Sequence, residues 1–192
     1  MLSDKKGLVL PGDDAKPIYS ASRERAKVDY RPLVAGKPVL VVVDMQSRFS
    51  AANDKTTIEA VAAEIRGAIA RQEPIVVLEL AIPSMSPNFC RTHQCLLDIL
   101  ESRENPAFWV LKLKSTVDGA REVLTACSSF GFNQEHFRLC GVNTALCVYE
   151  TAMGLARRRP GAKVEVLRRA VNCSTAQPWL NYPLVSSMVS VV

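Results

Sequence analysis

Apolar residues along this chain fall into short unbroken runs separated by amphipathic stretches. Pro38 to Met45 reads PVLVVVDM and Pro74 to Ile82 reads PIVVLELAI. Ala107 to Lys114, AFWVLKLK, and His136 to Val142, HFRLCGV, repeat the pattern, and Lys163 to Arg168 is a shorter example. β-branched runs that are apolar on both sides are typical of strands buried in a parallel sheet. The intervening stretches follow helical spacing. Ile58, Val61, Ala62, Ile65 and Ile69 share one face, with Thr56 and Glu59 placed as a capping box. Gln94 to Ser102 predicts a short helix, and Gly119 to Ser129 a longer one with Val123, Leu124 and Cys127 on one side. Thr144 to Arg159 predicts another, ended by Pro160–Gly161. Pro83, Ser84, Ser86, Pro87 and Asn88 mark a loop, and the tail to Val192 reads as either helix or strand.

Strands alternating with helices predict an α/β fold, a single domain with a doubly wound parallel sheet and helices on both faces. Residues 1–36 are polar and carry Pro11, Pro17 and Pro32. They read as an arm, extended on the domain or partly disordered, ahead of a domain spanning 37–192.

Composition narrows the function classes. The 192 residues suit one domain with a short extension, and 48% hydrophobic residues supply a large core. The net charge of +5 is spread along the chain apart from Arg157, Arg158 and Arg159, and aromatics are only 6%. That balance argues against a nucleic-acid partner and fits a small-molecule substrate, anionic ones favoured. Of the six cysteines, none forms a CxxC pair and none has a matching His cluster, so neither a zinc site nor any other metal is expected. No apolar stretch approaches a membrane span, and Met1 to Leu10 lacks the apolar run of a signal peptide. Reduced thiols in a cytoplasmic protein are the expectation. No cofactor is expected: the stretch after the first strand is DMQSRF rather than GxGxxG, and no Walker A motif is present.

In parallel α/β sheets ligands bind at the carboxyl ends of the strands. Three reactive side chains fall there. Asp44 closes the first strand, as a partly desolvated carboxylate or as a loop cap. Lys114 closes the third; Lys112 lies on the same face of that strand, and Lys114 is favoured because it is nearer the end. Cys147 lies in the first turn after the fourth strand, where a helix dipole and a neighbouring lysine would stabilise a thiolate. Cys127 and Cys140 read as core residues, and His93 and His136 have no evident partner for Cys–His catalysis.

These residues resemble a known family. DMQSRF at 44–49 is similar to the first motif of the isochorismatase-like hydrolases, GVNTALCVYETA at 141–152 to their nucleophile motif, and Lys114 with Asp118–Gly119 to their lysine segment. The likeness covers about residues 30–175. It implies an Asp44–Lys114–Cys147 triad and a non-proline cis peptide at Val142–Asn143. The N–H groups of Asn143 and Cys147 would then form an oxyanion hole. It further implies a pocket lined by Gln46 and Phe49, whose other reading is loop bonding and core packing, and a dimer or tetramer of identical chains. Nicotinamidases of this family carry an Asp-x-His and a later His that bind a metal. Here AIPSMSPNFCRTHQ offers only His93. Isochorismatases proper typically lack the cysteine. An acidic residue often ends strand five, where Arg168–Arg169–Ala170 stands here. The resemblance therefore implies a hydrolase acting through a cysteine nucleophile and an acyl-enzyme on a small amide, ureido or imide substrate. The alternatives are a vinyl-ether hydrolase with Asp44 as acid, and an inactive family member serving as a binding or assembly module.

Overall fold

The computed structural model of the chain describes residues 34–81, 91–102, 108–173 and 188–192. Most of the arm, the Pro83–Asn88 loop markers and most of the tail lie outside them. Strands β1 (Val39–Val43), β2 (Ile75–Leu80), β3 (Trp109–Lys114), β4 (His136–Val142), β5 (Lys163–Asn172) and β6 (Ser190–Val191) form one parallel sheet in the order β3-β2-β1-β4-β5-β6. Helices α1 (Lys55–Ala70), α2 (Gln94–Glu101), α3 (Ala120–Phe130) and α4 (Tyr149–Arg158) connect them. The α/β fold with a parallel sheet is as the runs predict, because residues buried on both faces leave no polar alternation.

The sheet separates two apolar cores. On one side Val39, Val41 and Val43 of β1 pack with Val123 and Cys127 of α3 and Leu155 of α4. On the other, Leu40 and Val42 pack with Val61 and Ile65 of α1 and Leu96 of α2. Val34, inside the stretch read as an arm, is buried in the first core.

Three local readings change. The cap of α1 is Asp54, whose Oδ2 accepts the Thr57 N–H at 2.8 Å, so the helix is capped two residues before Thr56. The predicted helix 144–159 is two segments: a π turn over Thr144–Val148, then α4. β5 continues past Arg168–Arg169–Ala170 to Asn172, with its register against β4 jumping from Leu139↔Val166 to Gly141↔Val171. Those three residues therefore occupy an irregular stretch inside the strand, and the strand ends at Asn172. Two arginines broke the apolar run by which its end was read.

Chain order reverses between β1 and β4, the neighbours at the centre of the sheet. At such a switch point the loops after the two strands diverge to opposite faces and leave a crevice. Gly141 is essential to that pairing. It sits at φ 116, and a Cβ on it would lie 2.0 Å from the Val43 carbonyl oxygen.

Candidate active site

The crevice brings Asp44, Lys114 and Cys147 together. Asp44 follows β1, Lys114 ends β3, and Cys147 lies in the π turn after β4. Lys114 Nζ is 2.9 Å from Asp44 Oδ2, with both side chains fully buried. The ammonium also donates to the Thr116 carbonyl at 3.1 Å and the Val117 carbonyl at 3.4 Å. A buried lysine is tolerated only when charge and donors are satisfied, and this one has a counter-ion and two carbonyls. The buried Cys147 thiol lies close enough to Asp44 and Lys114 to feel the charge of each. Lys112 lies on the same side of β3, but its ammonium stands 5.9 Å from the centre of the Phe130 ring, one pleat further from the strand end.

Asp44 is held in an uncommon backbone shape. Its φ of 51 is in the left-handed region, which aspartate enters more readily than most residues. Its N–H donates to the Leu78 carbonyl at 3.0 Å, and its carbonyl accepts the Gln46 N–H at 2.7 Å. Those bonds turn the chain sharply at the end of β1 and leave the carboxylate facing Lys114. Outliers of this kind concentrate at functional sites.

Burial raises the Asp44 carboxyl above its ordinary value, against the opposing pull of Lys114 and, more weakly, Arg48. The Cys147 thiol is pushed up to about 12, first by burial and next by the negative charge of Asp44, with Lys114 acting the other way. This corrects the expected depressed thiol. Cys147 sits in a π turn with its sulfur buried beside a carboxylate, and burial and that charge outweigh the lysine. The resting group is therefore a protonated thiol beside a buried carboxylate. Cys127 is likewise pushed up to about 12, and Cys140 upward, both by burial among apolar neighbours, as expected of core cysteines.

Among the described residues no peptide bond is cis, so the expected cis bond at Val142–Asn143 is absent. The turn is made instead by Gly141 and by Asn143 at φ −42, ψ 102, whose carbonyl accepts the N–H groups of Leu146 at 3.0 Å and Val148 at 3.2 Å. Val142 is buried and Asn143 half-buried beside the π turn.

Gln46 is fully buried, and its amide side chain bonds both backbone groups of Leu80, at 2.9 and 3.3 Å. It closes the end of β2, which matches the loop-bonding reading of this residue. Phe49 is half-buried against the second core, under the Arg48 guanidinium at 4.3 Å from the ring centre. Arg48 also donates to the Leu80 carbonyl at 2.9 Å. This second cation near Asp44 was not singled out in the sequence; its place within DMQSRF was the available signal. Glu79 is a second buried carboxyl raised by desolvation, and it accepts the Thr92 N–H at 2.7 Å. His93 immediately precedes α2, and His136 pairs with Glu165 at 2.7 Å at the opposite end of the sheet. Among the described residues no three His, Cys, Asp or Glu side chains stand close enough to hold a metal ion, and no helix is long and apolar enough to cross a membrane.

This arrangement defines the class of fold: a doubly wound parallel α/β domain of the kind found in isochorismatase-family hydrolases. No family model matches the chain, and no curated protein sequence does. Solved structures match its shape. N-carbamoylsarcosine amidase from Thermoplasma acidophilum is 18% identical with a TM-score of 0.64, over 81% of this chain and 95% of that one. Nicotinamidase/pyrazinamidase from Bacillus subtilis is 13% identical with a TM-score of 0.68, over 81% and 99%. A putative hydrolase of the isochorismatase family from Chromobacterium violaceum is 16% identical with a TM-score of 0.56, over 81% and 89%. At these identities the likeness is one of fold.

Proposed function

We propose that the chain is a cysteine hydrolase of small amide, ureido or imide compounds, working in the cytoplasm as a homo-oligomer. The observation that carries this reading is the buried contact of Asp44, Lys114 and Cys147 at the switch point of the sheet. An ion pair placed there for stability alone would be a poor investment, because burying two charges roughly cancels their attraction. The fold is shared with an amidase and with nicotinamidases, which agrees with the reading.

The chemistry follows from the charges. Asp44, its basicity raised by burial, takes the thiol proton as the sulfur attacks the carbonyl carbon. Lys114 holds the combined negative charge of carboxylate and sulfur near neutral throughout. The N–H groups of Asn143 and Cys147 receive the developing oxyanion. The C–N bond breaks, and Asp44 returns the proton to the leaving nitrogen, leaving a thioester on Cys147. Water, giving its proton to Asp44, then attacks the thioester. The carboxylic or carbamic product leaves, and the sulfur recovers the proton.

Acyl transfer should leave a trace. In acid-quenched single turnovers with a panel of N-carbamoyl and simple amide compounds, intact mass spectrometry is expected to find the acyl group on Cys147, with no adduct and no turnover in Cys147→Ala. A Cys147→Ala protein that still turns substrate over would end this reading in favour of vinyl-ether hydrolysis with Asp44 as acid. Failure of the wild-type chain on both amide and vinyl-ether panels would favour a binding or assembly role.

The pH dependence has a definite sign. Asp44 must be ionised to accept the proton, and its carboxyl titrates above the ordinary 3.8. Activity should therefore fall on acidification through a midpoint above that of a free carboxylate. A kcat/KM profile flat down to pH 4 would show that Asp44 is not the base.

A further inference from the structure

We infer that Thr151, with Gly154 and Arg158, is a positioning surface that fixes the ammonium of Lys114 in the site; this rests on the hydrolase reading above for its catalytic meaning. Cys147, Thr151, Gly154 and Arg158 are spaced by four, three and four residues. Such spacing keeps side chains on one stripe of a helix. Thr151, Gly154 and Arg158 form that stripe on α4 and all face one segment, the loop 115–119 that follows Lys114, while the nucleophile lies in the π turn that leads into α4.

The contacts are specific. Thr151 is fully buried, and its Oγ1 accepts the Gly119 N–H at 3.0 Å. The same hydroxyl donates to the Val117 carbonyl at 3.5 Å. Val117 supplies one of the two carbonyls that hold the Lys114 ammonium, and Thr116 supplies the other. A hydroxyl can donate and accept at once, so one threonine fixes both sides of the loop. Gly119 brings the loop against the lysine stem: a Cβ there would lie 2.9 Å from Lys114 Cδ and 2.5 Å from Leu78 Cδ1. Further along α4, Gly154 leaves room for Asp118, whose Oδ1 would lie 2.4 Å from a Cβ at that position. Asp118 Oδ1 accepts the Ala120 N–H, and Asp118 Oδ2 accepts Arg158 Nη1, both at 2.8 Å.

The loop is therefore held at an inner point by Thr151 and at an outer point by Gly154 and Arg158. Because the π turn carrying Cys147 runs directly into α4, the lysine and the nucleophile keep a common reference. Neither Thr151 nor Arg158 contacts the reacting atoms, so their effect reaches the chemistry through Lys114.

The test compares Thr151→Val, which keeps the shape and removes both hydrogen bonds, with Thr151→Ser, which keeps the hydroxyl. The first readout is the nitrogen-15 NMR signal of the Lys114 ammonium, visible when its protons are shielded from exchange. The second is acylation of Cys147 by p-nitrophenyl acetate as a function of pH, in which the thiol proton passes to Asp44 and p-nitrophenolate leaves. Thr151→Val is expected to lose the ammonium signal and to acylate about tenfold more slowly, as for roughly one unit of proton affinity. Its acid limb should move to higher pH, because Lys114 lowers the Asp44 carboxyl. Thr151→Ser should keep both. Should Thr151→Val not fold, Arg158→Met, altered at a half-exposed position, decides by the same readouts with smaller shifts in the same direction. An intact ammonium signal and unmoved acid limb in the variant that loses the hydrogen bonds, whatever its melting temperature, would overturn the inference. So would the absence of a shielded Lys114 signal from the wild-type protein. If the ammonium responds as expected but wild-type Cys147 does not acylate, the positioning role stands and the hydrolase reading fails.

Discussion

Lys114→Met is expected to destabilise the protein by about 3–5 kcal/mol at neutral pH, the usual cost of removing one partner from a buried ion pair. For a domain of this size that corresponds to roughly 10 °C or more in the melting temperature. The variant leaves Asp44 fully buried, with its closest counter-charge gone and only the Cys147 thiol and the Arg48 field opposing desolvation. Its carboxyl, already raised, rises further. A carboxyl whose folded value exceeds its unfolded value binds more protons when folded, so stability falls as pH rises through the window between the two. Lys114→Met should accordingly be less impaired at pH 5 than at pH 8. Asp44→Asn combined with Lys114→Met removes both charges and should recover most of the lost stability. On the hydrolase reading neither protein recovers turnover, which should drop by about three orders of magnitude or more. Thermal melts at the two pH values check the first part. A single variant as stable as wild type at pH 8 would show that the pair is not buried as described.

That contrast between stability and activity bears on how the site is legible in the sequence. Asp44, Lys114 and Cys147 were found because each ends or follows a strand, a position any parallel sheet turns into a crevice. What strand ends do not reveal is electrostatic balance. The helix-start argument predicted a depressed thiol at Cys147, but periodicity cannot distinguish a π turn from the first turn of an α-helix, or show that the sulfur is buried beside a carboxylate. The choice between Lys112 and Lys114 was similarly beyond alternation, since both point to one face; distance from the strand end separates them. Thr151 was part of the nucleophile motif as a letter, and Gly154 lies two residues beyond it. Their meaning depends on the loop 115–119, which lies more than thirty positions away in the chain.

The fold was legible for a related reason. Runs such as VLVVV are apolar on both faces and have only one stable place, the middle of a covered sheet. β5 was misjudged because its edge side and its register jump tolerate Arg168 and Arg169, both exposed, in mid-strand. The cis peptide expected from family resemblance is missing, and the same change of direction is distributed over Gly141, Asn143 and the π turn.

Gly141 carries the second large expectation. Gly141→Ala should cost more than about 4 kcal/mol, a size reached only through strain or core disruption. Two effects add. A φ of 116 disfavours any side chain, and the new Cβ would meet Val43 at 2.0 Å from its oxygen, 2.7 Å from its nitrogen and 2.8 Å from its carbonyl carbon. Those are backbone atoms of the neighbouring central strand, which cannot swing aside as a side chain would. Relief requires β1 and β4 to part where they pair at Val43 and Gly141. Asp44 follows the first of these residues, and Val142 and Asn143 follow the second, so the crevice opens along with the sheet. Gly161→Ala separates the two effects: Gly161 has φ 90 but nothing within 4 Å of an added Cβ. It should lose only about 1–2 kcal/mol, the conformational part alone. Denaturant melts of the two variants give the comparison directly. If they lose similar amounts, close contact of β1 with β4 is not what selects glycine at 141.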